Sequence, residues 1–71
     1  METIRIRDEF IKLGQALKLA GLVDSGVEAK VVITEGCVKV NGGTERQRGK
    51  KLRDGDIVEY GDKSFRVESC L

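Results

Sequence analysis

Apolar and polar positions follow two different periods along this chain, and each change of period marks an element. Ile4 and Ile6 alternate with Thr3, Arg5 and Arg7, the two-residue period of a strand with one wet face. Asp8-Glu9 reads as a turn, with Phe10 and Ile11 as apolar anchors after it. Leu13, Ala16, Leu17 and Ala20 then recur at the three- and four-residue spacing of one helical face. This predicts a helix over Lys12–Ala20, ended by Gly21, with Lys18 off the apolar side. Gly14, near its start, lowers the helix propensity.

The stretch Ser25–Gly42 writes its structure locally. Ser25 with Glu28 three positions later forms a capping box, because each side chain can accept from an N–H that the first helical turn leaves unpaired. The predicted helix covers Gly26–Glu35 and stops at Gly36, since glycine enters the left-handed region without a Cβ clash. Cys37–Val40 alternates as a half-buried strand, and Asn41-Gly42 is a hairpin-turn signal. The helix is rich in β-branched residues (Val27, Val31, Val32, Ile33, Thr34), so it depends on its cap and on packing. Ala29, Val32 and Ile33 fall on one side and are assigned to the core against the first helix. Val27 and Val31 form a second stripe, which a neighbouring hairpin is expected to cover.

From Thr44 to Lys51 apolar residues nearly vanish, as expected of a charged edge strand running into a loop, with Leu52 as the next core anchor. Asp54-Gly55 is a turn, Ile57–Tyr60 a strand, Gly61–Lys63 a turn, and Phe65–Glu68 a last alternating strand. There is no proline, no low-complexity linker and no repeat. The expectation is one domain over residues 1–71, of α+β class: two packed helices on a small, mostly antiparallel twisted sheet.

Composition narrows the function by exclusion. With 39% apolar and 35% charged residues among 71, the chain has the make-up of a small globular domain. No apolar run approaches the roughly 20 residues of a membrane span, and the N-terminus lacks a secretory pattern. No membrane partner and a cytoplasmic location are therefore expected. In that setting Cys37 and Cys70 are expected to be reduced. With no histidine, two cysteines cannot build a closed zinc site, and the commonest general base is missing. Cys37 has no histidine partner and sits in a strand pattern that implies burial, while Asp54 and Asp56 flank a turn glycine. These residues argue against an enzyme, and no metal or cofactor is called for.

Charge adds a positive signal once its distribution is considered. The net charge is only +1, yet Lys39–Arg53 carries six basic residues (Lys39, Arg46, Arg48, Lys50, Lys51, Arg53) against the single acid Glu45. Such a cluster neutralises phosphates and releases counterions; it equally suits a solvated edge strand that discourages aggregation. A helix starting at Ser25-Gly26 offers free N–H groups suited to a phosphate. If the two helices lie side by side, Lys18 and Lys30 join Lys39 and the loop cations around one groove. Phe10, Tyr60 and Phe65 are the only aromatics and read as core or strand, which points away from single-strand stacking and toward folded or double-helical nucleic acid.

Ser25, Ala29, Lys30, Ile33, Gly36 and the run Val38-Lys39-Val40-Asn41-Gly42 match a known signature, as do Lys50-Lys51-Leu52 and Asp54-Gly55-Asp56-Ile57 further on. Over roughly residues 12–60 the chain resembles the alpha-L RNA-binding module of the bacterial ribosomal small-subunit protein four type, and is most similar to its short stand-alone YaaA/YbcJ-like members. The resemblance implies binding of structured RNA, ribosomal or transfer RNA, and the expectation is a non-catalytic monomer acting on the ribosome or its precursors. Candidate RNA-binding residues are Lys18, Ser25, Gly26, Lys30, Lys39, Arg46, Arg48, Lys50, Lys51 and Arg53. Gly26 departs from the family, which usually carries a basic residue there. The competing reading is a small protein-interaction module using Val27, Val31 and the charged edge.

Overall fold

The computed structural model describes residues 1–71. In chain order the elements are β1 (Glu2–Ile6), β2 (Ile11–Lys12), α1 (Leu13–Leu19), α2 (Gly26–Thr34), β3 (Val38–Val40), β4 (Gly43–Thr44), β5 (Lys51–Leu52), β6 (Ile57–Tyr60) and β7 (Lys63–Ser69). Five strands form one sheet in the order β1-β7-β6-β3-β4, and β2 pairs with β5 as a separate two-stranded ribbon. All pairings are antiparallel except β1 with β7, where Ile4 lies opposite Val67 in parallel register. The two helices pack on one face of this sheet. A single core joins Leu13, Ala16 and Leu17 of α1, Ala29 and Ile33 of α2, and Ile4, Val38, Val58, Phe65 and Val67 of the sheet. The α+β expectation of two helices on a small, mostly antiparallel sheet is met.

Both helices stop in the same way. Gly21 and Gly36 take positive φ (77° and 80°), and the N–H groups on and after each glycine turn back to helix carbonyls. Gly21 and Leu22 donate to Lys18 and Leu17; Gly36 and Cys37 donate to Ile33 and Val32. These are Schellman closures, which satisfy carbonyls that have no partner within the helix. At the start of α2, Ser25 Oγ accepts from the Glu28 N–H at 3.1 Å. The Glu28 carboxylate accepts from the N–H of Asp24, at 2.8 Å, one residue earlier than a standard capping box would have it.

The Asn41-Gly42 turn carries positive φ at both residues (51° and 86°), as a type I′ hairpin requires, and pairs Val40 with Gly43. Its side chain then reaches the Asp54–Ile57 corner. Asn41 Oδ1 accepts from the Ile57 N–H at 2.9 Å, and Asn41 Nδ2 donates to Asp56 Oδ1 at 3.0 Å. Asp56 Oδ2 accepts from the Arg53 N–H, while Asp54 Oδ1 accepts from that of Ser69. The Asn-Gly and Gly-Asp segments, separate in sequence, are thus one hydrogen-bonded corner, and both aspartates act as turn residues.

Four expectations are corrected. The Thr44–Lys51 segment is not an edge strand: strand pairing ends at Thr44, one last bond runs from the Glu45 N–H to the Val38 carbonyl, and the chain then continues to residue 50 as an irregular strap to the helix ends. The first helix starts at Leu13, because Ile11 and Lys12 are drawn into pairing with Leu52 and Lys51. Cys37 is exposed rather than buried; it closes the end of α2, so strand alternation begins inward only at Val38. Val27 and Val31 are uncovered, 75% and 51% exposed, because the β3–β4 hairpin stays within the sheet instead of folding over α2.

Candidate nucleic-acid interface

The strap at residues 45–50 is set by helix ends that lack partners. At one side, Arg46 Nη1 donates to the Thr34 carbonyl at 2.9 Å, the last carbonyl of α2. The guanidinium lies where a Cβ on Gly36 would come within 2.7–2.9 Å of it, so a side chain there would push the flexible end of Arg46 aside, while the positive φ is what calls for glycine. At the other side, the first N–H groups of α1 are taken by strap carbonyls: Leu13 donates to Lys50 at 2.8 Å and Gly14 to Arg48 at 3.1 Å. Lys12, at the N-cap of α1, makes no side-chain cap of its own. Between these anchors Gln47–Lys50 closes a turn with Arg48-Gly49 at its centre, the Lys50 N–H donating to Gln47 at 3.1 Å.

Docking this turn on α1 creates an open cavity of about 320 Å³ lined by Lys12, Gly14, Gln15, Lys18, Gly26, Arg48 and Gly49. No hydrophobic side chain lines it. Gly26 brings the start of α2 to the same wall. There Ser25 has already taken the N–H groups of Glu28 and Ala29, whereas those of Gly26 and Val27 have no protein acceptor. The positive end of the α2 dipole adds to the field of three side-chain cations. None of the three has a carboxylate within ion-pair distance. The two ion pairs in the molecule, Arg5–Glu68 and Arg66–Glu68, are elsewhere. The arrangement offers cationic and N–H donors to an anion. No group of three His, Cys, Asp or Glu side chains gathers closely enough to hold a metal ion.

The candidate residues from the sequence separate into groups. Lys18, Gly26 and Arg48 meet at the cavity. Ser25 caps the adjoining helix, and Lys50 follows the turn through its carbonyl on α1. Arg46 is engaged at the far end of α2, roughly 13 Å away for nine residues of helix. Lys51 and Arg53 lie over the Phe10 ring, 4.7 and 5.7 Å from its centroid, in the geometry of cation–π contacts. Lys30 is exposed along α2 and does not line the cavity. Lys39 is exposed between buried Val38 and half-buried Val40, so it projects from the sheet face away from the helices, opposite Glu59 and Thr44. The single groove expected to include it is not formed.

Lys12 and Gln15 line the cavity but were not among the sequence candidates. The signal was present: Lys12, Gln15 and Lys18 recur every three residues, the polar flank of α1. Of the aromatics, Phe65 is buried, Tyr60 is half-buried, and Phe10 is half-buried beneath its two cations. No helix is long and apolar enough to cross a membrane.

Comparison with known proteins places this architecture. A probable ribosome maturation protein, RlbA of Bacillus subtilis, is 48% identical over 65 residues, covering 90% of this chain and 92% of its own. The putative RNA-binding protein YbcJ of Escherichia coli is 39% identical over 57 residues, covering 80% and 81%. The solution structure of YbcJ, described as revealing an alfaL motif involved in RNA-binding, superposes with a TM-score of 0.74 at 35% identity over 96% of this chain and 87% of YbcJ. The crystal structure of 30S ribosomal protein S4e from Thermoplasma acidophilum aligns with a TM-score of 0.64 at 28% identity, covering 84% of this chain and 32% of that one. The family model for the S4 domain matches residues 4–68, nearly the whole chain, and on these grounds the protein belongs to the S4 domain family.

Proposed function

We propose that this protein binds structured RNA without catalysing a reaction on it, and serves the ribosome or its maturation as a cytoplasmic monomer. Ribosomal RNA is the favoured target and transfer RNA the second. The observation that carries the reading is the cavity: Lys12, Lys18 and Arg48, none paired with a carboxylate, line it together with Gly26, the first residue of α2, whose N–H has no protein acceptor. A backbone phosphate is the ligand that uses both the charge and the N–H donors. Lys50, Lys51 and Arg53 extend positive charge from the strap, and Lys30 extends it along α2; Arg46 is spent on the end of α2 and Lys39 lies on the far face of the sheet. With no exposed aromatic platform, recognition runs through backbone and shape, which supports a folded RNA rather than a single strand. The names of RlbA and YbcJ support the same assignment.

The test is binding to purified ribosomal and transfer RNA, with a DNA duplex of equal length alongside, across a salt titration. Three phosphates engaged at the cavity imply a loss of roughly 40-fold in affinity between about 50 and 200 mM salt, with folded RNA preferred. The Arg48→Glu, Lys50→Glu, Lys51→Glu triple variant is expected to fold and to lose binding. Unchanged binding by the folded triple variant, or equal weak binding of RNA and DNA, refutes the site. One observation favours a second reading, in which α2 docks another protein: Val27 and Val31 are exposed side by side on its surface. Under that reading Val31→Glu abolishes binding to the partner while the basic strap remains intact, and binding shows little salt dependence.

A further inference from the structure

Gly14 has no turn to make, because it lies within α1 and its φ is not in the left-handed region. What sets it apart is the side chain above it. A Cβ at position 14 would stand 2.7 Å from Cγ and 3.3 Å from Cδ of Arg48, with the Arg48 carbonyl at 3.8 Å. Real Cβ atoms do not approach a carbon that closely. The clashing atom is Cγ, near the root of the side chain, so relief requires rotation about the first side-chain torsion, which swings the whole guanidinium arm. The Arg48 backbone is held meanwhile, because its carbonyl accepts from the Gly14 N–H at 3.1 Å. The bare surface of one helical turn is thus the bed on which the Arg48 stem lies as it enters the cavity with Lys12 and Lys18.

We propose that Gly14 is a positioning residue for RNA binding: its missing side chain leaves room for the rotamer that presents Arg48 to a phosphate. This rests on the reading of the cavity as an RNA-phosphate site. Alanine gains helix propensity over glycine, but its Cβ must displace the Arg48 stem, so the melting temperature of Gly14→Ala is expected to stay near the native value or to fall modestly, the protein remaining folded. Binding is therefore measured well below the transition of each variant, so that a loss cannot be attributed to unfolding.

The experiment measures RNA affinity and its salt slope for the full chain, Gly14→Ala, Arg48→Ala and the double variant, with thermal unfolding of each. An NOE between the Gly14 Hα and Arg48 Hγ protons reports the contact with no RNA present. The expected result is a similar loss in both single variants, roughly fivefold near physiological salt, with the salt slope shallower by about one in each. The double variant is then no weaker than Arg48→Ala alone, and the NOE is present in the native chain. Gly14→Ala binding like the native chain while Arg48→Ala is weakened overturns the role of Gly14 and leaves the RNA site standing. Native chain that binds no RNA, with the NOE present, overturns the RNA reading and with it the positioning role, although the contact itself is real.

Discussion

Arg46 and Arg48 are two residues apart on one exposed strap, yet the structure gives them different work, and a paired substitution separates the two roles. Arg46 donates to the carbonyl that ends α2 at 2.9 Å. The other three of the last four carbonyls, those of Val31, Val32 and Ile33, already accept from Glu35, Cys37 and Gly36. Arg46→Ala therefore removes the only protein donor to Thr34 and the only cation at the negative end of the helix dipole. A net hydrogen bond contributes about 0.5–1.5 kcal/mol and an exposed charge at a helix terminus about 0.3–1 kcal/mol. The exposed position lets water replace part of the hydrogen bond, so a loss of about 1–2 kcal/mol is expected. For a domain of this size that lowers the melting temperature by roughly 5–15 °C. RNA affinity, measured well below the transition, should change by less than about twofold, because Arg46 lies away from the cavity.

Arg48→Ala should show the reverse. Its side chain makes no hydrogen bond or ion pair, so stability should stay within about 0.5 kcal/mol. The loss of one released counterion weakens RNA binding about fivefold near physiological salt. Thermal unfolding by circular dichroism and filter or anisotropy binding on the same samples read both quantities. If Arg46→Ala melts like the native protein but loses fivefold in affinity, the guanidinium is a phosphate ligand and its assignment as a helix cap is refuted.

Two stability predictions test the local structure that holds the site. Asn41→Ala removes two hydrogen bonds to the Asp56-Ile57 corner and puts a Cβ-bearing, less tolerant residue at φ 51°, so denaturant unfolding should show a loss of about 2–3 kcal/mol. Asn41→Gly, which keeps the backbone freedom, should lose less, and equal losses would place the whole effect in the side-chain bonds. Ser25→Ala removes the oxygen that accepts the Glu28 N–H and should cost about 1 kcal/mol, whereas Ser25→Asp should retain most of the cap. A shift below experimental error in Ser25→Ala would mean that the Glu28 bond to Asp24 alone secures the helix start.

What could be read along the chain is whatever neighbours in sequence decide. Ser25 and Glu28 cap a helix because they are one turn apart, Gly21 and Gly36 stop helices because no other residue enters the left-handed region so cheaply, and Asn41-Gly42 makes a hairpin from two consecutive positive φ angles. The alternation of Ile4, Ile6, Phe65 and Val67 likewise assigned them to a sheet with one buried face, where they lie. The basic run was visible, but its shape was not. Its conformation answers to groups far away in sequence: the open carbonyl of Thr34 and the unpaired N–H groups of Leu13 and Gly14 hold residues 46–50 off the sheet and on the helix ends. That tertiary demand gathers Lys12, Gln15 and Lys18 with Arg48 and leaves Lys39 on the far face of the sheet. The same demand explains Gly14, a residue that local propensity marks only as a weak point in a helix. Periodicity and caps act over one or two turns, so they determine which elements form. Unsatisfied backbone groups at the element ends act through space, and only the assembled fold decides which side chains they bring together.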